Sequence, residues 1–255
     1  MRKIKKNQKI GLALGGGAVL GAAHLGVLNV LEENNIPISY LTGTSIGALI
    51  AALYAFGKNS NKIQQIALDI DWMDFSNISL SQYGLLSNEK IGDFLDDQIG
   101  DVSFEDAKIP IAMVATDIAS GKKVIIKEGK VSKAVMASTA LPGIFAPVEI
   151  NDKLLVDGGI VENVPISPLK EMGADYVIAV DLFAKHSQKK PENIIEVLVN
   201  TFDFTIMTAT KLQTEEADFL IEPDLTLFNM IDTDQIEDLI DQGYSEAMKF
   251  LKKIV

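Results

Sequence analysis

Apolar and polar positions along this chain alternate in a way that predicts strands and helices in turn. Lys9–Leu14 is a short apolar run that ends at glycines, which is typical of a buried strand. Gly21–Asn34 then has apolar residues at helical spacing, and Ile36–Thr42 is a second strand-like run. Ser45–Phe56 is apolar on nearly all sides, as expected for a buried helix.

The rest of the chain repeats this succession. Further strands are predicted at Ile109–Thr116, Lys123–Lys127, Leu154–Val156, Ala174–Asp181 and Asp218–Glu222. Further helices are predicted at Ser60–Ile70, Asn88–Ile99, Val131–Ala137, Ile194–Glu216 and Asp234–Lys252. Alternating strands and helices predict a layered α/β domain with a mostly parallel sheet. The sequence contains no internal repeat and no linker, so we expect one domain over residues 1–255.

The N-terminus resembles a secretory signal only in outline. A basic segment, Met1–Lys9, precedes an apolar stretch, Ile10–Leu28, in the order of such a signal. The stretch contains many glycines and a histidine, however, and it runs into a predicted amphipathic helix. No other segment approaches the roughly 18 uninterrupted apolar residues that indicate a transmembrane helix. The sequence therefore favours a cytoplasmic protein.

Composition narrows the classes of function. Hydrophobic residues make up 47% of the chain and charged residues 23%, which argues against general disorder. The net charge of −12 repels nucleic-acid phosphates, so binding of DNA or RNA is not expected. The chain has no cysteine and two histidines, which excludes disulfides, thiolate chemistry and Cys- or His-rich metal sites. We therefore expect neither a metal nor a cofactor.

A candidate nucleophile stands between a predicted strand and the apolar helix, in Gly43–Gly47, which reads G-T-S-I-G. In this context G-x-S-x-G is typical of a nucleophile elbow, a sharp turn that exposes the serine hydroxyl. The glycines Gly43 and Gly47 let the backbone turn without clashes, and the helix N-terminus favours a developing oxyanion. Ser45 is thus the candidate nucleophile. The alternative is a Gly-Ser turn without chemical function.

A second glycine-rich turn, Gly15–Gly21, reads G-G-G-A-V-L-G and follows the first predicted strand. Such a loop presents backbone N–H groups to an anion, as a phosphate cradle or an oxyanion hole. Nucleotide binding fits poorly, because the dinucleotide fingerprint has two residues before its last glycine and here three separate Gly17 from Gly21. The Lys-Ser/Thr pair of the phosphate loop is also missing.

A serine nucleophile needs a base, and the chain offers three. Asp157, followed by Gly158 and Gly159, ends a predicted strand, where an aspartate either caps a turn or acts in a cleft. His186 completes the chain order Ser–Asp–His of α/β-hydrolase triads but lies among polar residues typical of a loop. His24 lies inside a predicted helix. The residues alone leave a Ser–Asp dyad and a triad with His186 both open.

Together these segments resemble the patatin-like phospholipases. The family's oxyanion loop, elbow and D-G-G/A motif correspond to Gly15–Gly21, Gly43–Gly47 and Asp157–Gly159. Two further segments, Ala115–Gly121 and Ala137–Phe145, are similar to the family's A-T-D-x-x-x-G and A-S-x-A-x-P-x-x-F. The resemblance spans roughly residues 9–182. It implies a three-layer α/β/α fold completed by C-terminal helices, and a serine hydrolase of ester lipids, of phospholipase A or lysophospholipase type. The alternative is a lipid-binding or regulatory protein without turnover.

The resemblance also assigns roles to residues. Ser45 would be the nucleophile and Asp157 the base that accepts its proton, without a histidine. The backbone N–H groups that would hold the oxyanion belong to Gly15, Gly16, Gly17 and Ala18. A carboxylate is a weak base unless burial raises its pKa. We therefore expect Asp157 to be partly buried and within hydrogen-bond reach of Ser45.

One loop position departs from the family pattern. Leu20 stands where the family usually has arginine or lysine, and Ala18 replaces the fourth glycine. The missing cation removes an anchor for a phosphate head group, so the departure bears on phospholipid selectivity more than on hydrolysis. An apolar side chain here favours neutral esters.

A lipid substrate needs an apolar groove. Candidates for its wall are Leu85, Leu86, Leu141, Ile144 and Phe145, for which ordinary core packing is the alternative. The segment Asp71–Leu86 is a candidate cap over the site or a small hydrophobic cluster; its large apolar residues include Trp72, Met73, Phe75 and Tyr83. The expected partner is a lipid or another ester, with transient contact to a membrane surface. The pattern favours no particular oligomeric state.

Overall fold

The structure is a computed structural model that describes residues 4–5, 7–69, 77–81, 84–185, 190–191 and 194–254. The described strands are β1 (Ile10–Leu14), β2 (Tyr40–Gly43), β3 (Asn77–Ser81), β4 (Gly84–Ser87), β5 (Ile111–Asp117), β6 (Lys122–Ile126), β7 (Gly143–Phe145), β8 (Val148–Ile150), β9 (Lys153–Asp157), β10 (Tyr176–Val180) and β11 (Phe219–Ile221). The described helices are α1 (Ala23–Glu33), α2 (Ile46–Ala55), α3 (Ser60–Asp69), α4 (Glu89–Ile99), α5 (Val131–Ser138), α6 (Gly159–Glu162), α7 (Ile166–Met172), α8 (Ile194–Gln213) and α9 (Ile236–Ile254). Among these described helices, none combines the length and the apolar character that crossing a membrane requires.

The predicted succession of strands and helices is confirmed, with different bounds. The predicted strand Ile36–Thr42 is shorter, because the chain first closes the end of α1 with a hydrogen bond from Ile36 N to Leu31 O and then passes Pro37, which has no N–H to donate. Sequence patterning missed the short strands β3, β4, β7 and β8 and the helices α6 and α7. These elements have too few residues to show a clear period.

The main sheet has the strand order β11-β10-β1-β2-β5-β9-β8, and β6 also pairs with β5. The strands β11, β10, β1, β2 and β5 run parallel, whereas β6 and β9 are antiparallel to β5. Leu14 lies opposite both Gly43 and Val180 in the register, so the carboxyl ends of three neighbouring strands meet at one edge. Sites in open α/β sheets form at this edge. The strands β3, β4 and β7 form a separate small sheet.

Helices cover both faces of the main sheet. On β1, Leu12 and Leu14 belong to the larger buried cluster, which includes α1, α2, α5 and α9 side chains. Ala13 between them faces a second cluster, which includes Leu169 of α7 and Val177 of β10. A central strand buried on both faces is typical of a parallel sheet. The predicted three-layer α/β/α arrangement is thereby confirmed.

Two glycines allow α1 and α9 to cross at very short distance. A Cβ added to Gly243 would lie 1.9 Å from the carbonyl oxygen of Ala23, and one added to Gly26 would lie 2.0 Å from that of Ile240. No side chain fits at either position without moving backbone. The crossing matters for the candidate site, because α1 carries His24 and follows directly on the glycine-rich turn.

We expect Gly243→Ala to destabilise the protein, although alanine is the better helix former. Helix propensity favours alanine by about 1 kcal/mol, but forcing a methyl group into a closed contact costs roughly 1–3 kcal/mol or more. Thermal unfolding followed by circular dichroism should show a lower midpoint for Gly243→Ala and an unchanged one for Ser245→Ala, an exposed position on the same helix. An unchanged or higher midpoint for Gly243→Ala would contradict the close crossing.

Candidate active site

Ser45 occupies a sharp turn between β2 and α2. Its backbone has φ 55° and ψ −127°, a conformation that non-glycine residues rarely adopt. The neighbouring glycines are required by space: a Cβ on Gly43 would lie 2.4 Å from the carbonyl oxygen of Gly47, and one on Gly47 would lie 2.1 Å from that of Leu14. Backbone strain held in place by such close packing is characteristic of functional turns.

Side chains from distant parts of the chain hold this turn. The Ser45 N–H donates to Ser138 Oγ at 3.0 Å, and Ser138 Oγ in turn donates to Val114 O at 2.7 Å. The Thr44 hydroxyl donates to Glu162 O at 3.0 Å. Ser138 was not singled out from the sequence, although it lies in the family-like segment Ala137–Phe145. The strained backbone at Ser45 is thus tied to the end of α5 and to β5.

Asp157 ends β9, and the expectation that it is buried is confirmed. Its side chain is buried, with 4% exposure. Burial raises the pKa of its carboxyl from 3.8 to about 6, while hydrogen bonds from the Ser45 side chain and from Gly159 N–H hold it down. The Gly159 N–H donates to Asp157 Oδ1 at 2.7 Å. A carboxylate with a raised pKa that is paired with a serine hydroxyl is a candidate general base.

The glycine-rich turn lies beside Ser45, and its first two N–H groups are already bonded. Gly15 N donates to Val180 O at 3.2 Å. Gly16 N lies 3.2 Å from Asn163 Oδ1 and 3.3 Å from Asn163 O. Within the part of the chain that the structure describes, no acceptor takes the N–H of Gly17 or Ala18. These two amides are therefore the ones available to an incoming anion.

Asn163, which sequence patterning did not single out, links the glycine-rich turn to the Asp157 motif. It follows α6 and is 1% exposed. Its Oδ1 would lie 2.7 Å from a Cβ on Gly16 and 3.2 Å from one on Gly159, so it sits between the two motifs. Its Nδ2 is buried and has no hydrogen-bond partner among the described residues. Buried polar groups without partners are rare and mark places where a ligand or water binds.

Of the two histidines, His24 lies within the described residues and His186 does not. His24 is fully buried, and its Nε2 donates to Gly15 O at 2.8 Å. Burial lowers the pKa of His24 to about 4, so the ring is neutral at physiological pH and supports the glycine-rich turn. His186, the base of the alternative triad, lies outside the described residues, as do Trp72, Met73, Phe75 and Tyr83 of the candidate cap.

Of the predicted groove residues, Leu141 is the one that the structure places near Asp157. The Asp157 N–H donates to Ala140 O at 2.9 Å, which places half-buried Leu141 beside the base. Ile144 is buried at 6% exposure, Phe145 is half-buried, and Leu86 lies opposite Phe145 in the small sheet. The Leu85 side chain lies outside the described part. The role of these residues in binding stays a prediction.

Two further observations limit the chemistry of the site. Leu20, at the position where a cation is usual, is fully buried in the larger cluster and does not reach solvent. Over the described residues, no group of three or more His, Cys, Asp or Glu side chains is arranged to hold a metal ion. The described groups around Ser45 therefore offer a hydroxyl, a carboxylate and backbone N–H donors.

The chain is similar to known proteins in sequence and in fold. The profile of the patatin-like phospholipases matches residues 12–170. An uncharacterized NTE family protein of Mycobacterium tuberculosis is 37% identical over 177 residues, which are 68% of this chain and 49% of that protein. A lysophospholipase NTE1 of Candida glabrata is 33% identical over 193 residues, 71% of this chain and 11% of that protein. The chain thus spans about half the length of the mycobacterial relative.

Among solved structures, the fold is similar to VipD from Legionella pneumophila. The TM-score is 0.72 at 13% sequence identity, and the match covers 98% of this chain and 68% of that one. At this identity the likeness shows the shared fold. It includes the mostly parallel sheet and the helices on both of its faces.

Proposed function

Because the chain belongs to the patatin-like phospholipase family, we propose that it hydrolyses lipid esters with Ser45 as nucleophile and Asp157 as base. The observation that carries this proposal is the buried Asp157 carboxyl, whose pKa burial raises to about 6 and whose charged form the Ser45 side chain favours. Such a carboxyl is ionised at neutral pH and is more basic than an exposed aspartate. The name of the yeast relative favours a lysophospholipid among the lipid esters.

The geometry supports a two-step acyl transfer. Ser45 Oγ attacks the ester carbonyl carbon while Asp157 takes the hydroxyl proton, and the carbonyl electrons move to its oxygen. When this intermediate collapses, the bond to the alcohol breaks, and the alcohol leaves with the proton from Asp157. Water then attacks the acyl carbon and gives its proton to Asp157. The bond between the acyl carbon and Ser45 Oγ breaks, the fatty acid is released, and Asp157 returns the proton to Ser45 Oγ.

The oxyanion of each intermediate would be held by the N–H groups of Gly17 and Ala18. Both amides lie at the start of the short 3-10 helix Ala18–Ala22, where N–H groups lack intrahelical partners. The sequence predicted that the Gly16 N–H binds the oxyanion. In the structure this N–H already donates to Asn163, so we do not count it among the oxyanion donors. A single oxyanion donor is worth about 10²–10³ in rate.

The pH dependence of the reaction follows from Asp157. We expect kcat/KM to fall about tenfold per pH unit below pH 6 and to level off above about pH 7, since the protonated carboxyl cannot accept the Ser45 proton. Initial rates on a soluble ester between pH 4.5 and pH 9 would measure this.

A second carboxyl supplies the control for this profile. Asp181, just after β10, is buried, and burial raises its pKa to about 6 as well. Asp181 follows Val180, whose carbonyl oxygen accepts the Gly15 N–H. A change in the charge of Asp181 could therefore also affect the glycine-rich turn. The inflection should remain near pH 6 in Asp181→Asn. Its loss in that variant would assign the pH dependence to Asp181 and contradict the assignment to Asp157.

Asn163 should act as a positioning residue. Asn163→Ala removes the Oδ1 acceptor that fixes Gly16, and a misplaced donor loop costs roughly 10–100-fold in kcat with little change in KM. Steady-state kinetics would show this split. Gln213→Ala is the matched control, because it removes a partly buried hydrogen bond to Val161 O of α6 without touching the loop. Equal effects of both variants, or a change confined to KM, would contradict the positioning role.

A further inference from the structure

A trough lined only by apolar side chains opens beside the glycine-rich turn. Its lining comes from the turn and its 3-10 helix, from α1 to α4 and from the start of α9. Ile46, Leu49, Ile50 and Leu53 of α2 form one wall. Every other lining residue is likewise alanine, valine, leucine, isoleucine or phenylalanine.

One end of the trough adjoins the catalytic groups proposed above. Ala18, whose N–H is a proposed oxyanion donor, belongs to the lining, and so does Ile46, the residue that follows Ser45. Ala18 is exposed and Val19 and Ile46 are half-buried, so the trough reaches solvent at this end. Leu53 and Ile63, both 2% exposed, form its far end. The groove residues predicted from the sequence, Leu141 to Phe145, do not line it.

The chemistry of the lining selects the ligand. A sugar, a nucleotide or a peptide would lose its hydrogen bonds to water here and find no partner, which costs several kcal/mol per polar group. A hydrocarbon chain loses nothing and gains from burial. We propose that this trough binds the acyl chain of the substrate, with the ester carbonyl at Ser45 and the chain end towards Leu53. The proposal rests on the lipid-ester hydrolysis proposed above and adds the place and class of the bound chain.

The dimensions favour a medium-length chain. From Ile46 to Leu53 the α2 wall rises by about 10 Å, the length of roughly eight methylene groups. The cavity volume is about 30 Å³, and the empty space between the lining side chains, open solvent included, is about 450 Å³. Because this space is small, the acyl chain enters when the half-buried side chains at the mouth rotate. These are Val19, Ile46 and Phe94.

Two tryptophan variants on α3 test this placement. Ala67 lines the trough and is half-buried, so Ala67→Trp fills it near the surface, where folding is least disturbed. Gln65→Trp places the same side chain on an exposed position of the same helix. We expect Ala67→Trp to lower kcat/KM for p-nitrophenyl decanoate about tenfold or more and to leave p-nitrophenyl acetate unchanged. Gln65→Trp should change neither.

A binding measurement keeps this test independent of turnover. On the Ser45→Ala background, decanoic acid should bind in isothermal titration calorimetry, and addition of Ala67→Trp should weaken binding about tenfold. Ile63→Ala enlarges the far end of the trough and should shift the preferred ester towards longer acyl chains. This variant replaces Ala67→Trp as the test if Ala67→Trp fails to fold.

The outcomes separate the two proposals. Equal loss for both esters in Ala67→Trp, or no loss for either, would overturn the acyl-chain site while leaving hydrolysis intact. If the unaltered protein cleaves no ester, the proposed function fails. The binding measurement with the fatty acid then decides by itself whether the trough binds an acyl chain. Binding that is insensitive to Ala67→Trp would then overturn it.

Discussion

Ser45→Ala should lower the rate of ester hydrolysis by about 10⁶-fold, because no other group takes over when the nucleophile of a covalent mechanism is removed. The fold should survive, since alanine fits wherever the serine hydroxyl was and the Ser45 N–H keeps its bond to Ser138. Ester turnover assayed at pH 8, beside a melting curve, measures both properties.

Ser132→Ala is the matched control for that loss. Ser132 is a buried serine on α5, 3% exposed, away from the glycine-rich turn. Its replacement should leave turnover within a few-fold of the unaltered protein. Substantial hydrolysis by Ser45→Ala would remove Ser45 from the mechanism, whatever the control shows.

Asp157→Asn should lower kcat by about 10²–10⁴-fold, the usual contribution of a positioned general base. The amide has nearly the shape of the carboxyl and can still accept the Gly159 N–H, so the elbow should keep its geometry. It cannot accept a proton, and Ser45 then has no base among the described groups around it. Single-turnover kinetics would place the loss in the acylation step.

The same variant should be at least as stable as the unaltered protein at pH 8. Burial raises the pKa of Asp157 above its unfolded value, so above pH 6 the folded state holds a charge at a cost that a neutral amide avoids. A higher or equal melting temperature together with the large kcat loss separates a catalytic from a structural role. A strongly lowered melting temperature, or kcat within threefold of normal, would contradict the assignment.

The sequence predicted the elements with long, regular apolar patterns. β1 is buried throughout and α2 is apolar on nearly all sides, so their burial could be inferred from the residues themselves. The elbow at Ser45 and the position of Asp157 at a strand end followed from short motifs, because glycine is needed wherever backbones approach closely. These local signals place the main catalytic candidates without knowledge of the tertiary contacts.

What the sequence could not provide depends on contacts between distant segments. Ser138 and Asn163 lie 93 and 147 residues from the groups they hold, and neither residue type indicates a role by itself. The same long-range packing occupies the Gly16 N–H and leaves the N–H groups of Gly17 and Ala18 available to an anion. The apolar trough likewise combines side chains from several helices, each of which has the pattern of an ordinary core helix.

The most direct test of the Ser–Asp dyad is covalent labelling with a fluorophosphonate, followed by peptide mapping. The probe reacts with activated serines and resembles the tetrahedral intermediate, so it reports the nucleophile and its base together. The account predicts a label on Ser45 that is lost in Asp157→Asn and retained in His186→Ala. A label that is lost in His186→Ala, or that maps to another serine, would contradict it.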